Sequence, residues 1–214
     1  PEASQTELRL GHTGVPVGHP DRVPLQVANT LLGGSFMSRI NLNLRERLGI
    51  TYGAYSRLST RRGAGPFVVG AAVDSPAVGT AVREIVGELA RLREESAPRA
   101  EVEDATSYLI GTFPYTVQTL DGLAGRLEEL ALHALPDDYF RRLPAEVAAV
   151  DPAAIQRVAA THLHPDRLAV VAVGPARELV PQLANLGELT VRDGGRDAPT
   201  AELAVELLGE TAEV

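Results

Sequence analysis

Cysteine is absent from these 214 residues. That excludes disulfides and thiolate metal sites, and it leaves the compartment open between cytoplasm and periplasm. Lysine is absent as well, so all 20 basic residues are arginine. With abundant Ala, Gly, Pro and Val, this points to a GC-rich bacterial genome. Aromatic residues make up only 4% of the chain, so the core must be built from Ala, Val, Leu and Ile. No apolar run approaches the roughly 18 residues of a membrane helix, and no membrane partner is expected. The start, Pro1-Glu2-Ala3-Ser4, does not read as a signal peptide, though a mature chain could have lost one. A net charge of -8 argues against nucleic acid as a partner, because phosphate binding needs a basic face.

What is present is a globular composition, 44% hydrophobic and 22% charged, in a length that fits one domain. Gln5 to Leu10 alternates polar and apolar residues and predicts a strand. Val23 to Leu32 predicts a helix stopped by Gly33-Gly34, read as a turn needing positive φ. Ser35 is a candidate cap for a second helix to Leu48, ended by Gly49, with an apolar stripe of Ile40, Leu44 and Leu48. Tyr52 to Thr60 and Pro66 to Val73 predict a β-hairpin turning at residues 61–65. Pro76 to Glu95 carries the clearest helical stripe: Val82, Ile85, Val86, Leu89 and Leu92, with Glu84, Glu88 and Arg91 off it. Helical patterns follow at 99–112, 120–134, 138–150 and 151–163, the last capped by Asp151 before Pro152. Leu168 to Gly174 predicts a buried strand, Ala176 to Leu186 a helix, and Glu188 to Val191 an edge strand. The order predicts an α+β domain over residues 1–191, its antiparallel sheet covered on one face by helices. Residues 192–214 read as an acidic C-terminal tail with at most a weak helix near 200–208.

The chemical inventory is short. His12, His19, His133, His162 and His164 form neither H-x-x-E-H nor H-E-x-x-H, so no metal ligand set is assigned. His162 and His164 sit at a helix end, where imidazolium meets exposed carbonyls favourably. No G-x-S-x-G elbow occurs, and a phosphate loop needs the lysine this chain lacks. Arg45 follows the stripe residue Leu44 by about 100° around the helix, and Tyr52 opens the next strand. The two can share one space, a guanidinium beside a phenol. Equally, Arg45 can be a surface residue paired with Glu46 or Glu84, beside a half-buried tyrosine.

Leu31 to Ser56 resembles the second-half signature of the pitrilysin, insulinase and mitochondrial-processing-peptidase family of inverzincin metallopeptidases. The family pattern runs LGG-x-x-SR, then LRE-x-x-G-x-x-Y-x-x-x-S. Gly111-Thr-Phe-Pro114, Leu135-Pro-Asp-Asp-Tyr139 and Leu163 to Gly174 resemble its later elements, with Ala134 where the family has glycine. The resemblance covers about Gln5 to Gly174. It implies one half of a clamshell that closes around an unstructured peptide, with zinc on a homologous partner half and none here. The partner half is on the same polypeptide or a second subunit. The resemblance also implies that Arg45 and Tyr52, seven positions apart as in the family, bind substrate carbonyls and support catalysis. Three readings compete: a substrate-binding half of a zinc endopeptidase, an inactive structural or assembly subunit, and a complete zinc hydrolase, which the histidines oppose. Against the family pattern the chain starts late, so a further strand is expected upstream. A long presequence-type glycine loop has no counterpart between Gly33 and Ser38.

Overall fold

The computed structural model describes residues 5–59, 61–193 and 201–206. Strand β1 (Gln5–Thr13) leads to helix α1 (Arg22–Asn29), which runs on as a π-helical turn over Thr30–Gly34. Helix α2 (Arg39–Asn41) likewise continues as a π turn to Arg47. The hairpin β2 (Thr51–Leu58) and β3 (Pro66–Asp74) follows. Then come α3 (Val78–Glu94), α4 (Arg99–Thr112), α5 (Leu120–His133), α6 (Tyr139–Ala148) and α7 (Pro152–His162). Strand β4 (Ala169–Gly174), α8 (Ala176–Leu183), β5 (Glu188–Asp193) and β6 (Ala201–Glu206) complete the described chain.

Every strand pairing is antiparallel, and the sheet order is β2-β3-β1-β4-β6-β5. Alternation decides the two faces. Thr6, Leu8 and Leu10, Phe67, Val69, Ala71 and Val73, and Val170 and Ala172 are buried, while their alternating neighbours are exposed or half-buried, except Gly70. The buried face packs on α3, whose Val82, Ile85, Leu89 and Leu92 are fully covered, and on Leu25, Ile40, Leu44, Ile155 and Leu179. The fold is therefore α+β, an antiparallel sheet with helices on one face, as the pattern predicts. The other face lies open. Across it, Tyr55, Gly70, Arg9 and Val171 stand in register on four consecutive strands. Among the described residues, no helix is long and apolar enough to cross a membrane.

Several expectations change. Residues 201–206, expected in an acidic tail with a weak helix, form β6 between β4 and β5; 194–200 and 207–214 lie outside the described residues. Ser35 is extended and caps nothing, and Ser38 precedes α2 instead. Glu88, placed off the stripe, is only 4% exposed. It accepts from Asn43 Nδ2 at 2.8 Å and pairs with Arg91, so a buried charge is matched rather than stranded. Gly33 and Gly34 do not adopt positive φ; among the described glycines Gly49 does, at 64°. Gly33 instead presses against β2. A Cβ there would stand 2.6 Å from the Ser56 backbone nitrogen, a contact only glycine permits.

The C-terminus of α7 is tied to the start of α1. Asp21 accepts from Arg157 at 2.7 Å and lies 2.8 Å from His162 Nε2. His162 thus meets a carboxylate, not the helix carbonyls. Arg157, then His162, holds the Asp21 carboxyl down at about 2 from 3.8. A depressed carboxyl pKa adds stability that is present above the unfolded value and disappears as pH falls through the folded one. Asp21→Asn should therefore melt a few degrees below wild type at neutral pH, and the gap should close between about pH 4 and pH 2 in thermal melts. An unchanging gap across that window would refute the linkage. A second expectation concerns the end of α5. Ala134 lies there at φ 51°, in the left-handed region, where a Cβ costs roughly 1–2 kcal/mol. Offset by the greater freedom of an unfolded glycine, Ala134→Gly should stabilise by about 0.5–1 kcal/mol in urea unfolding.

Candidate functional site

The site forms where α2 ends and the edge strand β2 begins. Buried Asn41 binds both elements: its Nδ2 donates to Phe36 O at 2.6 Å, and its Oδ1 accepts from Ala54 N at 3.0 Å. Asn43, on the next face of the helix, donates to Glu84 and Glu88 at 2.8 Å each and so anchors the helix to α3. Gly49, left-handed after the helix, turns the chain into β2.

β2 starts with a bulge. Thr51 opposes Val73 and Ala54 opposes Ala71, so Tyr52 and Gly53 span a step that one residue would fill. Thr51 Oγ1 donates to Ala72 O at 2.6 Å and accepts from Gly53 N at 3.1 Å, which pins the bulge. A bulge re-aims the side chain it carries. Tyr52 projects to solvent and is 86% exposed.

Arg45 reaches the same place. Its guanidinium carbon stands 4.3 Å from the Phe36 ring centroid and 5.4 Å from that of Tyr52, within cation–π range. Its charged partner is the neighbouring Glu46, with Nε 3.5 Å from Oε1, a loose pair whose acid is largely exposed. Glu84, the other partner weighed from the sequence, is taken by Arg47 and Asn43. Arg45 and Tyr52 are thus brought together, the arginine half-buried and the tyrosine open to solvent. Phe36, Asn41 and Thr51 escape the sequence reading. The signal for Asn41 is a polar residue between Ile40 and Leu42 on a helix that must bury one side. Beside the pair, Phe36, Met37, Leu42 and Tyr108 wall a hollow of about 530 Å³.

The outer edge of β2 is not open for an added strand. Ala54 N–H is used by Asn41, and Ser56 O accepts from Asn29 Nδ2 at 3.3 Å. A peptide lying there would have to displace both side chains.

Four of the five histidines lie in two pairs away from this site, His12 with His164 and His19 with His162. His12 Nε2 accepts from His164 N at 3.2 Å and its Nδ1 bonds Thr13 O at 2.9 Å, a neutral tautomer. Burial lowers the pKa of His12 and that of His164. His19, Asp21 and His162 place their ligand atoms within 4.8 Å of one another. The set does not fit zinc: Asp21 carries a guanidinium on one oxygen and His162 on the other, and a dication would have to displace the arginine.

The peptidase M16 inactive-domain family model matches residues 1–109, just over half of the chain. An uncharacterized zinc protease of Bacillus subtilis, YmxG, is 28% identical over 148 residues, covering 67% of this chain and 36% of that protein. The crystal structure of a peptidase M16 inactive domain from Pseudomonas fluorescens superposes with a TM-score of 0.73 at 23% identity, over 80% of this chain and 41% of that one. A chain in complex III2 of Candida albicans superposes at 0.71 with 15% identity, over 85% and 44%. The chain therefore spans well under half the length of these relatives. Its matched sequence and its fold agree, and the chain belongs to the peptidase M16 inactive-domain family.

Proposed function

We propose that this chain is the substrate-binding, zinc-less half of a zinc-dependent peptidase, and that Arg45 and Tyr52 are its contribution to the site. The observation that carries the reading is the pairing itself. A half-buried guanidinium lies over the Phe36 ring and beside the Tyr52 ring, and the bulge holds that phenol out in solvent. The bulge sets where the Tyr52 side chain leaves the strand, and the Phe36 ring supports the Arg45 guanidinium from beneath.

The donors suit a peptide carbonyl. Arginine offers a planar fork, and its stacking on Phe36 limits the rotamer freedom lost on binding. Tyr52 offers one hydroxyl hydrogen to an oxygen that gains negative charge as the carbonyl becomes tetrahedral. When bound on the homologous partner half, zinc supplies an acidified water for attack on the scissile carbonyl. Arg45 holds the peptide, and Tyr52 acts where charge develops. The competing reading is a structural subunit of the same fold, with complex III2 of Candida albicans as a setting where such a fold occurs. A structural role leaves unexplained why Tyr52 is so exposed and Arg45 so loosely paired.

With the zinc-bearing half present, Tyr52→Phe should fold normally and lose on the order of 10²–10³ in kcat, with KM little changed. Arg45→Ala should lower kcat and raise KM together. Full activity in both variants would remove the assignment and leave only the fold. The chain by itself should cleave no peptide and retain no stoichiometric zinc after dialysis, as read by elemental analysis. One tightly held zinc per chain, for example at His19, Asp21 and His162, would contradict the zinc-less reading.

A further inference from the structure

A second arginine–tyrosine group lies on the open sheet face, three residues along β2 from Tyr52. Tyr55 opposes Gly70, and Gly70 opposes Arg9 on the next strand. The Tyr55 ring occupies the gap this glycine leaves: a Cβ at Gly70 would come within 2.6 Å of Tyr55 Cζ and 2.7 Å of its hydroxyl. Glycine inside a strand weakens it and marks a place where another group must approach closely; here that group is the phenol. Arg9 and Arg57 flank the ring, their guanidinium carbons 5.7 and 5.9 Å from its centroid. Glu7 pairs with Arg9 at 2.8 Å. Arg57 is exposed, and its side chain makes no hydrogen bond or ion pair among the described residues. The group therefore keeps one uncompensated positive charge and a seated hydroxyl donor on a chain of net charge -8.

The geometry points to a carboxylate-binding subsite at Arg57, Tyr55 and Arg9, which reads an acidic group on the bound peptide. The inference rests on the proposal that a peptide is gripped at Arg45 and Tyr52. Because the bulge puts Tyr52 and Gly53 in one step of the ladder, Tyr55 lies two steps along the strand from Tyr52, roughly 7 Å at about 3.3 Å per residue. An acidic group two or three residues from the gripped carbonyl would reach it.

The test is an NMR titration of the full chain with acetylated, amidated peptides in which one Asp or Asn is moved through successive positions. At one position Asp should bind about fivefold tighter than Asn, the scale of a single exposed ion pair. Arg57→Ala should erase that ratio while Tm stays put, and Tyr55→Phe should reduce it. A further arm replaces the amide with a free C-terminal carboxylate on the Asn peptide. A matching gain there makes the chain end, rather than a side chain, the source of the same carboxylate. Equal Asp and Asn affinities at every position overturn the subsite, as does a ratio that survives Arg57→Ala or an absence of binding to any peptide. Arg45→Ala separates the two proposals. If it weakens Asp and Asn peptides alike while their ratio is one, the subsite fails and the Arg45–Tyr52 grip stands. If it weakens neither while the ratio persists, the grip fails and the carboxylate site stands.

Discussion

The backbone contact of Gly33 with Ser56 is the constraint on which the candidate site depends. It seats the end of the first helical segment directly on the edge strand, with no side chain between them. Only from that distance can Asn29 reach Ser56, and Asn41 reach Phe36 and Ala54 at once. Those bonds fix the loop that carries Phe36 beneath Arg45, and they close the strand edge just beyond the bulge that exposes Tyr52. A methyl group at position 33 would have to push the segment outward, and each of these contacts would lengthen together. Gly34 is nearly as restricted, since a Cβ there would stand 2.9 Å from Asn29 Nδ2. The paired glycines therefore act through proximity rather than through unusual dihedral angles.

This explains which parts of the molecule were legible in the sequence. The hairpin, α3, the Asp151 cap and the central strand β4 are each announced by a pattern inside one element, and the structure keeps them within a few residues. The meeting of Arg45 and Tyr52 was legible as one of two alternatives, because a helix angle and a short connection are local quantities too. The rest depends on what arrives from elsewhere. Glu88 is one position from the buried Leu89, but its partner Asn43 is 45 residues away, and no periodicity reports that. β6 is short and acidic, and alternation over six residues carries little weight against its charge; its place between β4 and β5 is a tertiary fact. The reason for Gly33 was misread because a turn and a close approach both call for glycine. The closed outer edge of β2 is likewise a tertiary fact, since its blocking groups are asparagine side chains from the preceding helices.

Charge is distributed unevenly over this fold. The buried carboxylate of Glu88 and the mostly covered Asp21 are both met by arginine within the domain. Arg45, half-buried beside Glu46, and the exposed Arg57 instead lie against aromatic rings. A chain without lysine makes all its cations from planar forks, and stacking orients such a fork without using its hydrogens. The aromatic supports are scarce, yet Phe36, Tyr52 and Tyr55, three of the nine Phe and Tyr residues, are placed beneath or beside arginines on this one exposed region. Aromatic area that the core does not receive is used here to hold charge in position.

Exposure also sets the strength of these donors. In open water two unit charges 4 Å apart interact by only about 1 kcal/mol, against about 4 kcal/mol at the effective dielectric of a protein surface cleft. As long as the region faces solvent, Arg45 and Tyr52 would therefore hold a peptide oxygen weakly, and they cost the domain little. Covering them with a second protein surface would remove water from both donors and from the oxygen they meet, and the same geometry would then act with several times the energy. On the proposed reading, the domain keeps its donors rigid but hydrated, and closure of the partner half supplies the low-dielectric surroundings in which rigidity becomes transition-state stabilisation. On that reading a half-site can be ordered in one chain and still need its partner in order to act.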